Sequence, residues 1–363
     1  MSTVFKNNIQ IPSLITGNYF PSLDGFRAMS IIIVLIGHYN FRWGNEWLTE
    51  LLSNGHLGVA IFFVISGFLI TTLLIKEKVN TGTISLRKFY IRRFIRIFPV
   101  AYLYLLVIFI LGYFFEFNTN WIALLGAALY LRNFSFVGEG SWYVNHYWSL
   151  SAEEQFYLIF PFLLKWNIRR YIVIVLCIVF LTVILNVFRS NSFFIQYPFV
   201  FEFLNPIQGI LVGSIFSFMV VYNYLPLAFM KNNAGIISIV CILLIIGIHN
   251  NSINNHIIHV IPSVLSSIIT YVLIGILILT QIQPNRTILY KFLNWSWMRQ
   301  LGILSYSIYI WQQLFTVNEL MVKGTSSLPW YAWYISIPMV FIVGYLSYHY
   351  YEKPFNQLKN KFK

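Results

Sequence analysis

The sequence predicts an all-α integral membrane bundle of about ten transmembrane helices with its N-terminus in the cytoplasm. Three observations carry that prediction. Hydrophobic residues make up 58% of the 363 residues and charged residues only 10%, whereas a soluble domain carries roughly a quarter charged residues. Apolar runs of about 17 to 25 residues recur along the whole chain, and that is the length that crosses about 30 Å of hydrocarbon. The basic residues fall between those runs on alternate sides, as orientation by positive charge requires.

The elements follow in order. Residues 1–22 are polar and form a cytoplasmic N-terminal segment, with no small-residue cleavage site after the first apolar run. A single transmembrane domain is predicted over 23–351, and 352–363 reads as a short basic cytoplasmic tail. The spans are predicted at 23–41, 56–75, 97–115, 149–165, 170–188, 203–222, 234–249, 261–281, 302–321 and 330–350. The segment Trp121–Leu131 is apolar but short, which suits a re-entrant or interfacial helix. The span at 234–249 is also short and runs into an Asn-rich stretch, HNNSINNHIIH. The two longest connections are a basic inner loop over 76–96 and an outer segment over 116–148. Connections of that length are usually functional or partly helical.

Charge orients the bundle. With the N-terminus inside, all but Arg42, Arg132, Arg189 and Lys323 of the 24 Lys and Arg fall on the cytoplasmic side or at the inner end of the first span. The net charge of +13 is then mostly a topology signal. It does not imply nucleic-acid binding, which needs a soluble basic face with interleaved aromatics. The two cysteines, Cys177 and Cys241, sit inside apolar runs and read as small packing residues without a disulfide. Six of the seven histidines, all but His349, fall at or near the outer side, and none pairs at metal-ligand spacing beside a second pair, so no metal is expected.

An ionisable residue at membrane depth is costly, which makes it a functional candidate. Arg27 and His38 lie on the first span, DGFRAMSIIIVLIGHY. Eleven steps put them about 16 Å apart along the axis and within about 20° of one face. They would present a cation near the inner side and an imidazole towards the outer side, or else a snorkelling Arg and an interfacial His. The fourth span opens HYWSLSAEEQFYLIFP, where Ser149, Glu153 and Tyr157 form one stripe at spacings of four. Glu153 lies at a depth similar to His38, and its carboxyl is either protonated, paired with an imidazole or guanidinium, or placed to cap the helix start. Glu154 points about 100° away, towards headgroups or another helix. His146, two turns before Glu153, stacks above it if the helix begins early. Arg92, Arg93 and Arg96 in LRKFYIRRFIRIFP suit phosphate capture, or binding of anionic lipid headgroups. Trp148 belongs to an aromatic cluster over 134–148, placed either to stack on sugar rings or to form an interfacial belt.

Taken together, these segments resemble the acyltransferase type 3 family of bacterial membrane O-acyltransferases that modify surface carbohydrates. The matching segments are DGFRAMSIIIVLIGHY at 24–39, GVAIFFVISGFLITTLL at 58–74, FYIRRFIRIFP at 89–99, HYWSLSAEEQFYLIFP at 146–161 and LGILSYSIYIWQQLF at 301–315. The resemblance makes 23–351 an acyltransferase domain of the bacterial inner (plasma) membrane. It implies an acyl-CoA donor, commonly acetyl-CoA, with no permanently bound cofactor, and a glycan or glycolipid hydroxyl as acceptor. Arg27 and His38 match the family's Arg-ten-residues-His motif, Arg93 and Arg96 its Arg-two-residues-Arg motif, and Ser149, Glu153 and Tyr157 its Ser–Glu–Tyr stripe. By that likeness His38, Glu153 and Arg27 are catalytic and the inner arginines hold the donor. Ser149, Tyr157, His146 and Trp148 then contact substrate. Some relatives carry a further extracytoplasmic hydrolase-like domain; this chain is expected to act alone or with a partner.

Within that reading His38 acts as general base on the acceptor hydroxyl, or attacks the thioester and carries the acyl group. Glu153 would orient the imidazole and stabilise its charged form, and Arg27 would steady an oxyanion or grip the donor. Two other classes compete. A proton-coupled transporter or flippase explains the intramembrane His and Glu but not the inner arginines. A scaffold or receptor would use the same polar stripes for helix packing.

Overall fold

In a computed structural model, described at residues 12, 15–17, 19–39, 54–115, 120–138, 141–188, 196, 198–249, 263–316 and 332–358, the protein is helical throughout, with no strand among these residues. Arg42, Arg189, Lys323, His256, His259 and most of the Asn-rich stretch lie outside the described residues.

The helices are α1 Pro21–Tyr39, α2 Gly55–Thr81, α3 Leu86–Phe115, α4 Trp121–Ala128, α5 Trp142–Asn145, α6 Tyr147–Trp166 and α7 Ile168–Val187. They continue as α8 Phe199–Val221, α9 Leu227–Asn232, α10 Ala234–His249, α11 Ser263–Ile282, α12 Ile288–Leu293, α13 Ser296–Phe315 and α14 Ala332–Leu346. A π-helical stretch, Ser347–Glu352, joins α14 to α15, Lys353–Leu358.

Five of the described helices, α2, α3, α7, α8 and α11, are long and apolar enough to cross a membrane. The apolar stretch of α2 is 78% buried and that of α7 only 17%, so α2 stands at the centre and α7 presents its side chains outward. Phe180, Leu181, Ile184 and Val187 are accordingly exposed on α7. Helices α1, α6 and α13 are 19 or 20 residues long but carry Asp24, Arg27 and His38, Glu153 and Glu154, and Gln312 and Gln313. These three helices with polar interiors build the site together with α2 and α3.

Close backbone approach sets the central packing. A Cβ on Gly67 would lie 1.8 Å from the carbonyl oxygen of Ile210, and one on Gly302 would lie 1.9 Å from that of Asp24. Small residues at such crossings let helices approach where lipid gives no hydrophobic drive to associate. Between α2 and α8, Thr71 and Ser214 hydroxyls meet at 2.5 Å and Thr72 and Ser217 at 2.7 Å. Tyr171 of α7 joins the same group, 2.8 Å from Ser214.

The inner loop expected at 76–96 is mostly helix. Helix α2 runs on to Thr81, Gly82 closes it in the left-handed region at φ +78°, and α3 begins at Leu86. Hydropathy marks where the chain leaves hydrocarbon, and lysine and arginine are good helix formers beyond that point. The tight connection is tied by Glu77, which accepts from the Ser85 amide at 2.7 Å and pairs with Arg92 at 3.6 Å. Lys78 reaches across to the last turn of α6, donating to the carbonyls of Leu164 and Lys165 at 2.9 and 2.8 Å. A cation there satisfies carbonyls that have no partner inside their own helix.

The short apolar segment folds as α4, eight residues, which at 1.5 Å per residue is about 12 Å and too short to cross. Within the segment read as a tail, Lys353–Leu358 forms α15, which packs against α3, and Glu352 is buried; residues 359–363 lie outside the described residues.

Candidate active site

Helices α1, α2, α3, α6 and α13 and the π-helical stretch enclose a cavity of about 380 Å³. Six of the predicted site residues line it: Arg27, Arg93, Arg96, Ser149, Glu153 and Tyr157. Each gets there for a local reason. Arg27 is one turn along α1 from Asp24 and pairs with it at 2.8 Å. Arg93 and Arg96 share a face of α3, and the Arg93 guanidinium lies 5.0 Å above the ring of Tyr157. Ser149, Glu153 and Tyr157 form a single stripe on α6, as their spacing predicts.

Glu153 is the centre of that stripe. Its Oε1 accepts from Ser66 of α2 at 2.6 Å and from the Tyr157 hydroxyl in a very short bond. Both bonds hold the carboxylate in one position. Ser149 and Tyr309 of α13 share a 2.5 Å hydrogen bond, and both hydroxyls also reach the His146 carbonyl, Ser149 at 3.0 Å and Tyr309 at 3.3 Å.

His38 is not among the residues lining the cavity. Three turns along α1 from Arg27, its Nδ1 lies 2.7 Å from Gln312 Oε1, and Trp142 packs edge-on at 5.7 Å. Among the described residues no hydrogen bond joins Glu153 to His38: Glu153 Oε1 accepts from Ser66 and Tyr157, and His38 Nδ1 faces Gln312. His146 ends the short helix α5 and starts α6, with its ring buried against Tyr104, Tyr147 and Tyr309. It is the residue between α5 and α6, with φ −60° and ψ −15°, and does not line the cavity. Neither ring nitrogen makes a hydrogen bond of normal geometry, although Ile310 and Gln313 face it. Trp148 packs on His56 and Phe63, and Arg92 turns away to Glu77; neither lines the cavity.

Sequence reasoning missed several lining residues. Glu154 faces the same cavity as Glu153, not lipid, and its Oε1 is buried without a hydrogen-bond partner among the described residues. Glu352 also lines the wall, held by the hydroxyls of Ser307 at 2.5 Å and Ser347 at 3.1 Å. The π-helical stretch supplies it together with Tyr348, and π-turns concentrate at functional sites. The acidic residue in an otherwise aromatic run, SYHYYE, was the available signal. Asp24, Ser66, Ser305, Tyr306 and Tyr309 also contribute polar lining. Among the described residues, no group of three or more His, Cys, Asp or Glu could hold a metal ion.

An all-helical, apolar fold with arginines and carboxylates converging on one interior cavity defines a membrane protein whose site is built inside the bundle. The chain belongs to the acyltransferase domain family, which its residues 20–349 match. It is 30% identical over 373 residues to a candidate O-acetyltransferase of Staphylococcus aureus strain COL, an alignment that covers 93% of this chain and 58% of that protein. It is 29% identical over 387 residues to the O-acetyltransferase OatA of Staphylococcus aureus strain NCTC 8325, covering 96% of this chain and 59% of that protein. The chain thus spans less than two thirds of the length of these curated relatives. No solved structure matches it.

Proposed function

We propose that the protein is a membrane O-acyltransferase that moves an acyl group, in the first instance acetyl, from cytosolic acyl-CoA to a hydroxyl of an extracytoplasmic or lipid-linked glycan. The observation that carries this reading is the convergence of Arg27, Arg93 and Arg96 with the Ser149–Glu153–Tyr157 stripe on one cavity. Guanidinium groups suit the phosphates of CoA, since each presents several donors in a fixed fork. Its thin pantetheine arm then carries the thioester through the bundle towards His38. Family membership and the names of the two relatives point to the same chemistry.

The transfer balances without a further reactant. The acceptor oxygen attacks the thioester carbonyl while its proton passes to His38. The C–S bond breaks, and CoA leaves as the thiol after regaining the proton from the imidazolium. In the alternative order His38 attacks the thioester carbonyl and the C–S bond breaks to release CoA thiolate; the hydroxyl then takes the acyl group from the imidazole, and its proton ends on the thiolate. Arg27 steadies charge on the carbonyl oxygen or the donor. Ten spans with the N-terminus inside put the arginines on the cytoplasmic side of the bacterial plasma membrane and the acceptor on the other.

The test is release of CoA from radiolabelled acetyl-CoA by purified protein in liposomes supplied with membrane glycan extract. Wild type is expected to turn over, and His38→Ala at equal protein level to lose at least about 100-fold, the lower range for a positioned acid–base group. Unchanged turnover in His38→Ala removes both roles of His38. No turnover and no acetyl-CoA binding by folded wild type overturns the reading in favour of a transporter.

A further inference from the structure

We propose that Gln312 sets the tautomer of His38, holding the proton on Nδ1 and leaving Nε2 as the basic nitrogen. This rests on the reading of His38 as base or acyl carrier, and it replaces Glu153 with Gln312 as the group that orients the ring. The starting point is the 2.7 Å contact between His38 Nδ1 and Gln312 Oε1. An amide oxygen only accepts, so the imidazole nitrogen facing it must donate.

The neighbours of the amide favour this orientation. Gln312 Nε2 donates to Gln313 Oε1 at 3.2 Å, and the Thr316 hydroxyl donates to Gln312 Oε1 at 3.5 Å. Turning the Gln312 amide over, with Gln313 as it stands, would set its oxygen against the Gln313 oxygen. Both glutamines are fully buried, at 0% and 1% exposure, so water cannot repair such a mispairing. Gln313 is in turn anchored through its backbone carbonyl, which accepts from Trp142 Nε1 at 3.1 Å. The same Trp142 packs its edge on the His38 ring and limits rotation about it.

Two features separate this arrangement from a carboxylate-oriented histidine. The partner is neutral, so it selects a tautomer without strongly stabilising imidazolium. The titratable groups facing His38 from neighbouring elements are His56 of α2 and His146 at the α5–α6 junction, and no carboxylate hydrogen-bonds to it among the described residues. Gln312 touches neither donor nor acceptor in this scheme; it is a positioning residue.

The experiment is nitrogen NMR of the full chain labelled at histidine, in lipid nanodiscs, with His38→Ala used to assign the His38 signals. Wild type is expected to show a protonated Nδ1 and an unprotonated Nε2 at alkaline pH. Gln312→Leu should give a mixture of tautomers and lower acetyl-CoA turnover by about 10- to 100-fold, the range seen when a metal-ligating histidine loses its outer hydrogen-bond partner. Gln312→Glu keeps an acceptor oxygen in place. It should retain the Nδ1–H tautomer and move the acid limb of the pH–rate profile to higher pH, because a carboxylate favours the charged ring. A wild-type His38 protonated on Nε2 overturns the proposal, as does a Gln312→Leu spectrum identical to wild type. The labelling readout needs no substrate. An Nδ1–H tautomer together with a fully active His38→Ala would overturn the role of His38 and leave that of Gln312 standing.

Discussion

Glu153 and Glu154 are neighbours in the chain, yet only one of them advertises its place. Glu153 is legible because Ser149 and Tyr157 repeat at spacings of four on either side of it. Glu154 has no such stripe and still reaches the cavity, because the cavity wraps around α6 over more than the 100° that separates the two residues. The energetic weight falls on Glu153, whose single oxygen takes hydrogen bonds from two helices. Glu153→Gln removes the charge and weakens both. A hydrogen bond to a charged group contributes roughly 1.5–3 kcal/mol, so acetyl-CoA turnover should fall about 10- to 100-fold. Steady-state kinetics on folded protein check this, and an unchanged kcat would assign Glu153 to packing. His38 teaches the complementary lesson. The motif marked it, but nothing in the spacing of one helix could show that its partner would come from residue 312.

At the scale of elements, the crossing of α2 and α8 depends on glycine. Gly67 faces the Ile210 carbonyl and Gly213 the Val64 carbonyl, at Cβ distances of 1.8 and 2.2 Å that real side chains do not occupy. Gly67→Ala should therefore push the helices apart, at a cost of about 1–3 kcal/mol or more. Gly247→Ala, on α10 with nothing within 4 Å of the new Cβ, should be neutral or slightly stabilising. Melting temperatures in detergent distinguish the two; equal values would remove close packing as the reason for Gly67. The existence of most helices was readable from apolar runs. Their ends were not, and 76–96 shows why: the polar extensions of α2 and α3 are helical for reasons of local propensity and of pairing between Glu77, Ser85 and Arg92.

At the scale of the molecule, the charge distribution predicts which side each end faces. Thr83 is exposed in the connection between α2 and α3 and carries no role in the cavity. Cys177 is exposed on α7, Cys241 is buried on α10, and both are free thiols. With both replaced by alanine, Thr83→Cys should react with a membrane-impermeant maleimide in inverted vesicles and stay unlabelled in intact spheroplasts. The reverse pattern would invert the bundle and move the arginines to the outer face, away from cytosolic CoA. The cavity exists only at this scale, since its wall is drawn from the first helix, the middle of the chain and the last turns before residue 358.

By itself the sequence determined the helical membrane class, the positions of most of the described helices and the motifs that carry Arg27, His38, Arg93, Arg96 and the Ser149–Glu153–Tyr157 stripe. These are local properties: hydrocarbon thickness fixes run length, and helical pitch turns spacing into a face. Tertiary structure alone decided which faces meet. It joined Glu153 to Ser66 and His38 to Gln312, brought Glu154 and Glu352 into the cavity, and kept Arg92, Trp148 and His38 out of its lining. The physical reason is that these contacts link residues 87 and 274 positions apart. No periodicity along one helix encodes how far a second helix is rotated against it.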